Sequence, residues 1–140
     1  MADIQFPNAL FGPGTFTADV LDNNGAPASV LEASAPFTIR TQWTVDPLFA
    51  LLVGGDWEVA AYVEAIGPGA EQQVGPTRTV PLDGGTSYST DITVGAGTLP
   101  DDLGPGQSGA YKLVTLLTHR NFGVVSDVAA VAEGPILRIS

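Results

Sequence analysis

Phe37-Thr-Ile-Arg-Thr-Gln-Trp-Thr-Val45 decides the class of fold. Phe37, Ile39, Thr41, Trp43 and Val45 take every second position, with Thr38, Arg40, Gln42 and Thr44 between them. Successive side chains of an extended chain point to opposite faces, so this stretch is a strand with one buried and one solvated face. The same period returns on both sides of it. Thr15 to Leu21 puts Phe16, Ala18 and Val20 on one side and runs into an Asn24-Gly25 turn. Trp57 to Ile66 puts Trp57, Val59, Ala61 and Val63 on one face, and Glu58, Ala60, Tyr62, Glu64 and Ile66 on the other. Tyr88 to Val94 follows the turn Asp83-Gly-Gly85 and points Tyr88, Thr90, Ile92 and Val94 inward.

Ala110 to Arg120 is a further long strand, and Val128 to Ile139 the last, with a bulge expected at Glu133-Gly134-Pro135. Ala28 to Glu32 reads as a short edge strand. Val74 to Leu82, broken by Gly75-Pro76, reads as another, because proline cannot donate to a ladder. No segment sustains a 3.6-residue period over ten positions. Seven or eight short strands parted by turn signals predict an all-β sandwich closed by Greek-key connections. Residues 14–140 form the domain in this reading, and residues 1–13 an apolar N-terminal arm.

Composition agrees. One domain accommodates 140 residues, and 44% hydrophobic residues supply a core. Seventeen glycines and eleven prolines imply many turns. Gly-Pro-Gly recurs at 12–14, 67–69 and 104–106, which suits type II turns and lacks the lysine of a phosphate-cradling loop.

Two tryptophans in successive major strands, Trp43 and Trp57, are placed to fill a sandwich core. Tyr111 opens the penultimate strand after the turn-rich Gly104-Pro-Gly-Gln-Ser-Gly-Ala110, where a tyrosine corner would tie its hydroxyl to upstream backbone. In these features the chain resembles the immunoglobulin-like and fibronectin type III-like superfamily. The resemblance implies an immunoglobulin-like Greek-key β-sandwich of 7–8 strands. It implies no particular activity, since that fold hosts adhesion, receptor, chaperone and structural roles alike.

Fifteen acidic against five basic residues give a net charge of -10. That excludes the basic stripe a nucleic-acid binder needs, and an anionic membrane surface would repel the chain. The absence of cysteine removes disulfides and thiolate chemistry. The first residues, Met1-Ala-Asp-Ile-Gln-Phe-Pro7, have no signal-peptide character, and no apolar run reaches membrane-spanning length. A cytoplasmic location is the expectation.

Catalytic constellations are sparse. His119 is the single histidine, and a hydrolase would need it beside a serine and an acid such as Ser108, Ser126 or Asp127. One histidine cannot build a zinc site. The acidic loops Asp22-Asn-Asn-Gly25 and Asp101-Asp102 depart from the spacing of a calcium loop, and such residues favour turns on their own account. Glu58 and Glu64 share a strand face roughly 20 Å apart, too far for a glycosidase pair. The expectation is a non-enzyme without cofactor.

The remaining signal is a surface. If the strands from Trp57 and Ala110 are antiparallel neighbours, Glu58 approaches Arg120 and Glu64 approaches Lys112. Between these charges lie Tyr62, Val114 and Leu116, an apolar middle on a face that should be polar. Leu48 and Phe49 in the connection Pro47 to Val53, and Phe6 and Phe11 in the arm, add apolar surface to be covered. These residues predict a protein–protein interaction or assembly module, with another subunit or a second copy as partner. A carbohydrate- or ligand-binding, adhesin-like sandwich is the alternative.

Overall fold

A computed structural model describes residues 2–4, 14–66, 71–99, 109–121 and 124–139. Among them are nine strands and one helix, in the order β1 (Ala2–Asp3), β2 (Thr15–Leu21), β3 (Val30–Leu31), β4 (Phe37–Thr44), α1 (Pro47–Leu52), β5 (Asp56–Ala65), β6 (Gln72–Pro81), β7 (Ser87–Val94), β8 (Ala110–Asn121) and β9 (Val124–Ile139). They form two sheets, β1-β2-β4-β7 and β3-β9-β8-β5-β6. The protein is all-β, as the alternation predicts, and its core lies between the sheets.

Inward rows run across the four-stranded sheet. Phe16, Trp43 and Tyr88 are in register, as are Ala18, Thr41 and Thr90, and Val20, Ile39 and Ile92. Trp43 stacks on Tyr88 with centroids 5.9 Å apart and meets Phe16 edge-on at 6.2 Å. From the facing sheet Trp57, Val59, Ala61, Val63, Leu113 and Leu117 close the core. Trp57 contacts Trp43 edge-on at 6.1 Å, so the two indoles join the sheets.

The connection Pro47 to Val53, which the sequence reading took as an apolar link to be covered, is helical over Pro47–Leu52. Asp46 caps it by accepting from Leu48 N–H at 3.0 Å, and Pro47 sits in the first turn, where its missing N–H costs nothing. Six residues are too few for periodicity to show. Local capping decides the conformation, and Phe49 anchors it in the core.

The last strand begins at Val124, four residues earlier than expected. The predicted bulge is present. The β8–β9 register shifts between Lys112 and Val114, opposite Gly134 at φ 91°. β3 is only two residues long and pairs parallel with Arg138 and Ile139. β6 lies at the far edge of its sheet, as predicted, and its register on β5 shifts between Val59 and Ala61. The base of the N-terminal arm belongs to its own domain. Ala2 and Asp3 pair with Phe16 and Thr15, Ile4 N–H donates to Gly14 carbonyl at 3.0 Å, and Ile4 is buried.

Candidate functional site: the outer face of the five-stranded sheet

β5 and β8 are antiparallel neighbours, and their register builds the face the sequence reading anticipated. Ala60, Leu116 and Val131 form one row across β5, β8 and β9, and Tyr62, Val114 and Glu133 the next. Toward one end come Glu64, Lys112 and Ile136; toward the other, Glu58, Thr118 and Ala129. Tyr62, Val114 and Leu116 are half-buried by one another and by neighbouring strands. Ala60 faces outward yet is buried, because its methyl stands low between longer side chains. Val131 and Ile136, 49% and 51% exposed, extend the apolar strip onto β9.

Charges bracket the strip. Arg120 Nε lies 2.9 Å from Glu58 Oε2, across the diagonal of the ladder. Glu64 and Lys112 are direct register partners, as expected. The ion pair of Lys112 runs instead to Glu133 Oε2 at 3.5 Å. Glu133 went unassigned in the sequence reading because its register depends on the bulge.

Two members of the predicted surface fall elsewhere. Phe49 is 1% exposed and packs on Trp57 at 5.7 Å and on His119 at 5.6 Å, so it belongs to the core. Leu48 is half-buried on α1. The exposed apolar residues of that helix are Leu51 and Leu52, at 80% and 61%. Phe6 and Phe11 lie outside the described residues, as do Ser108, Asp101 and Asp102.

His119 is buried and hydrogen-bonded at both nitrogens. A carbonyl only accepts, so Nε2–H donates to Gly54 O at 2.8 Å; in the neutral ring Nδ1 then accepts from the Ser126 hydroxyl, also at 2.8 Å. Ser126 Oγ accepts in turn from Val128 N–H at 3.2 Å. The ring meets Trp57 edge-on at 5.3 Å. A histidine oriented by a carbonyl and walled by aromatic rings ties the helix-to-strand connection to β8 and β9. That geometry serves packing.

The acidic turn has a similar explanation. Asp22 Oδ1 accepts from Asn24 N–H at 2.9 Å and Ala26 N–H at 3.0 Å, while Gly25 supplies the positive φ of 80°. Its carboxylate is occupied by its own loop. No group of three His, Asp or Glu side chains that could hold a metal is found among the described residues.

The opposite outer face, on the four-stranded sheet, is polar apart from Leu21 at the end of β2. Thr15, Thr44 and Ser87 form one row, Thr17, Gln42 and Ser89 the next, and Asp19, Arg40 and Asp91 a third. Arg40 Nε lies 3.2 Å from Asp91 Oδ1, and the carboxylate holds that guanidinium above its ordinary pKa. Arg78 Nε–H donates to Asp91 carbonyl at 3.2 Å, bridging to β6.

No family model matches the sequence, and no curated protein does. Solved structures share the arrangement of the chain, among them two enzymes. A β-glucosidase from Erythrobacter marinus superposes over 93% of this chain at 8% identity and a TM-score of 0.56. A β-glucosidase from Listeria innocua in complex with glucose superposes over 96% at 8% identity and a TM-score of 0.53. The chain spans only 16% and 17% of the lengths of those two enzymes. At such identity the likeness is one of fold alone, to a portion of each larger protein.

Proposed function

We propose that the chain is a non-enzymatic protein–protein interaction module that docks through the outer face of its five-stranded sheet. One observation carries this reading. The row Ala60–Leu116–Val131 and the neighbouring Tyr62 and Val114 lie at the middle of a sheet whose other flank is the core, with the Glu58–Arg120 pair at one end and the Lys112–Glu133 pair at the other, Glu133 closing the Tyr62–Val114 row on β9. An apolar centre with a polar rim is the anatomy of a contact surface. The immunoglobulin-like Greek-key design belongs to the same proposal. Its support is the strand order and the way short β3 leaves the first sheet to pair parallel with the last strand.

Solution mass by light scattering, across a wide concentration range, tests the self-associating form. Discrete oligomers that Leu116→Asp returns to 14.4 kDa would support the face. Oligomers indifferent to Leu116→Asp and Val114→Asp would place the contact elsewhere. A constant 14.4 kDa leaves another subunit as the partner, and cross-linking from cysteines introduced at positions 114 and 131 then has to map to that face.

The carbohydrate-binding alternative has one observation of its own. A shallow cleft of about 430 Å³ on the four-stranded sheet is lined by the hydroxyl and amide groups of Thr15, Thr17, Gln42, Ser87 and Ser89. Its two aromatic residues, Trp43 and Tyr88, are buried beneath it and offer no exposed stacking platform. A glycan whose binding Gln42→Ala abolishes would favour this reading over the first.

A further inference from the structure

β9 is sixteen residues long, but β3 covers only its last residues, Arg138 and Ile139. From Val124 to Pro135 its outer edge has no strand partner among the described residues. Unpaired N–H and C=O groups along a strand are a template for another strand, and proteins usually protect them with lysine, proline or a covering segment. Among the described residues the proline that guards this edge stands at one end, at the Gly134-Pro135 bulge, and Asp127 is the charged residue between Val124 and Ala132. The remainder carries exposed Val124, Val125 and Val131 and no cation.

Beside this edge β1 and β2 approach β9 without pairing with it. An open cleft of about 760 Å³ lies between β9 and the β1–β2 hairpin. Ala18, Ala129, Ala130 and Ala132 contribute only methyl groups to its wall, while Asp3 and Glu133 supply its charge and, among the described residues, no basic one lines it. The cleft therefore has room for side chains larger than its own, next to backbone groups that can hold an added strand in register.

We propose that this edge accepts an extended segment of a basic partner protein by β-addition. The segment would pair with β9 between Val124 and Glu133. Large apolar side chains at alternate positions would enter the alanine-lined cleft, and a lysine or arginine would meet Asp3 and Glu133. Charge selects the occupant. A second copy would bring the same acidic rim, from a chain of net charge -10, against itself. This site adjoins the outer-face strip and shares Val131 and Glu133 with it, so Leu116, which belongs to the strip alone, tells the two apart.

The probe is a capped nine-residue peptide with leucine at alternate positions and lysine or threonine between, labelled for fluorescence anisotropy. The control replaces its lysines with glutamate. The lysine peptide should bind at least tenfold more tightly than the control and slow amide exchange specifically between residues 124 and 133. Glu133→Lys, at an exposed position that leaves the fold intact by circular dichroism, should weaken it by about tenfold; Leu116→Asp should leave it unchanged. Equal binding of the two peptides, protection elsewhere, or no binding would overturn the proposal. So would amides at 124–133 that are protected in the free protein in a concentration-dependent way, since the edge would then be filled by a second copy.

Discussion

The two outer faces are laid over one core and built by the same alternation, yet their chemistry differs. On the four-stranded sheet the outward rows Thr15–Thr44–Ser87, Thr17–Gln42–Ser89 and Asp19–Arg40–Asp91 are hydroxyl, amide or charge, and Leu21, at the end of β2 in the row with Thr38 and Thr93, is the apolar member of that face. On the five-stranded sheet the central rows are Ala60–Leu116–Val131 and Tyr62–Val114–Glu133. A strand whose inward positions already fill the core gains nothing in water from leucine and valine outside. The first face is what solvent selects. The second is costly unless something covers it, and the contrast within one molecule excludes a general tolerance of outward apolar residues.

That comparison assumes a core shared equally by both sheets, and the largest expected effect tests it. Trp43→Ala on β4 and Trp57→Ala on β5 should each destabilise the fold by about 3–5 kcal/mol, as expected for a fully buried indole. Urea unfolding measures both. Similar losses would confirm that the difference between the faces lies outside the core. If one variant cost under about 1 kcal/mol, its sheet would contribute little to the core, and its outer face could not be weighed against the other.

Each sheet also carries a buried polar side chain that anchors its neighbours, Thr41 in one and His119 in the other, and these give the next contrast. Thr41 Oγ1–H donates to Thr90 carbonyl at 2.7 Å, one bond between neighbouring strands. His119 holds two groups from different elements, Gly54 and Ser126. Thr41→Val should cost about 1 kcal/mol, and His119→Leu about 2–3 kcal/mol, because it strands two polar partners and disturbs the aromatic packing. Equal costs would mean that the histidine acts only as filler.

How far the sequence revealed this arrangement depended on what each feature rests on. Strands governed by strict alternation were legible to within a residue or two: Phe37 to Val45 is observed as Phe37–Thr44, and Thr15 to Leu21 without change. The β5–β8 pairing was legible through its charges, and Glu58 does meet Arg120. Features resting on local geometry were hidden. The Asp46 cap turns an apolar connection without readable periodicity into a helix, and with it carries Phe49 from expected surface to core. The bulge in β9 decides that Glu133 faces Lys112, and no pairwise pattern shows which residue a bulge displaces. The open β9 edge follows from the shortness of β3, which residue types alone do not set. Tyr111 is buried as a corner tyrosine would be, while Gly104 to Ser108, upstream of it, lie outside the described residues.

The smallest effect concerns the tyrosine that the four-stranded sheet turns inward. Tyr88 donates its hydroxyl to Gly85 carbonyl at 2.8 Å, in a turn braced by Asp83 Oδ1, which accepts from Gly85 N–H at 2.8 Å. Burial raises its pKa above the ordinary value; a hydrogen bond with the Asp83 backbone pulls it back, and the Asp83 carboxylate adds to the rise. Tyr111 is raised by burial alone. A phenol whose pKa is higher in the folded chain keeps its proton there after the unfolded chain has released it. Its contribution to stability is therefore complete below the unfolded value of about 10 and declines as pH rises through the folded one. Tyr88→Phe should cost about 1 kcal/mol at neutral pH through the lost hydrogen bond. Above pH ~10 it should lose stability less steeply than the parent, with the residual slope due in part to Tyr111. Urea midpoints at pH 8 and pH 11 for both proteins decide the matter. Parallel losses between those pH values would show that Tyr88 ionises as freely in the folded sheet as in the unfolded chain, and that the four-stranded sheet shields its inner row less well than Trp43 stacking suggests.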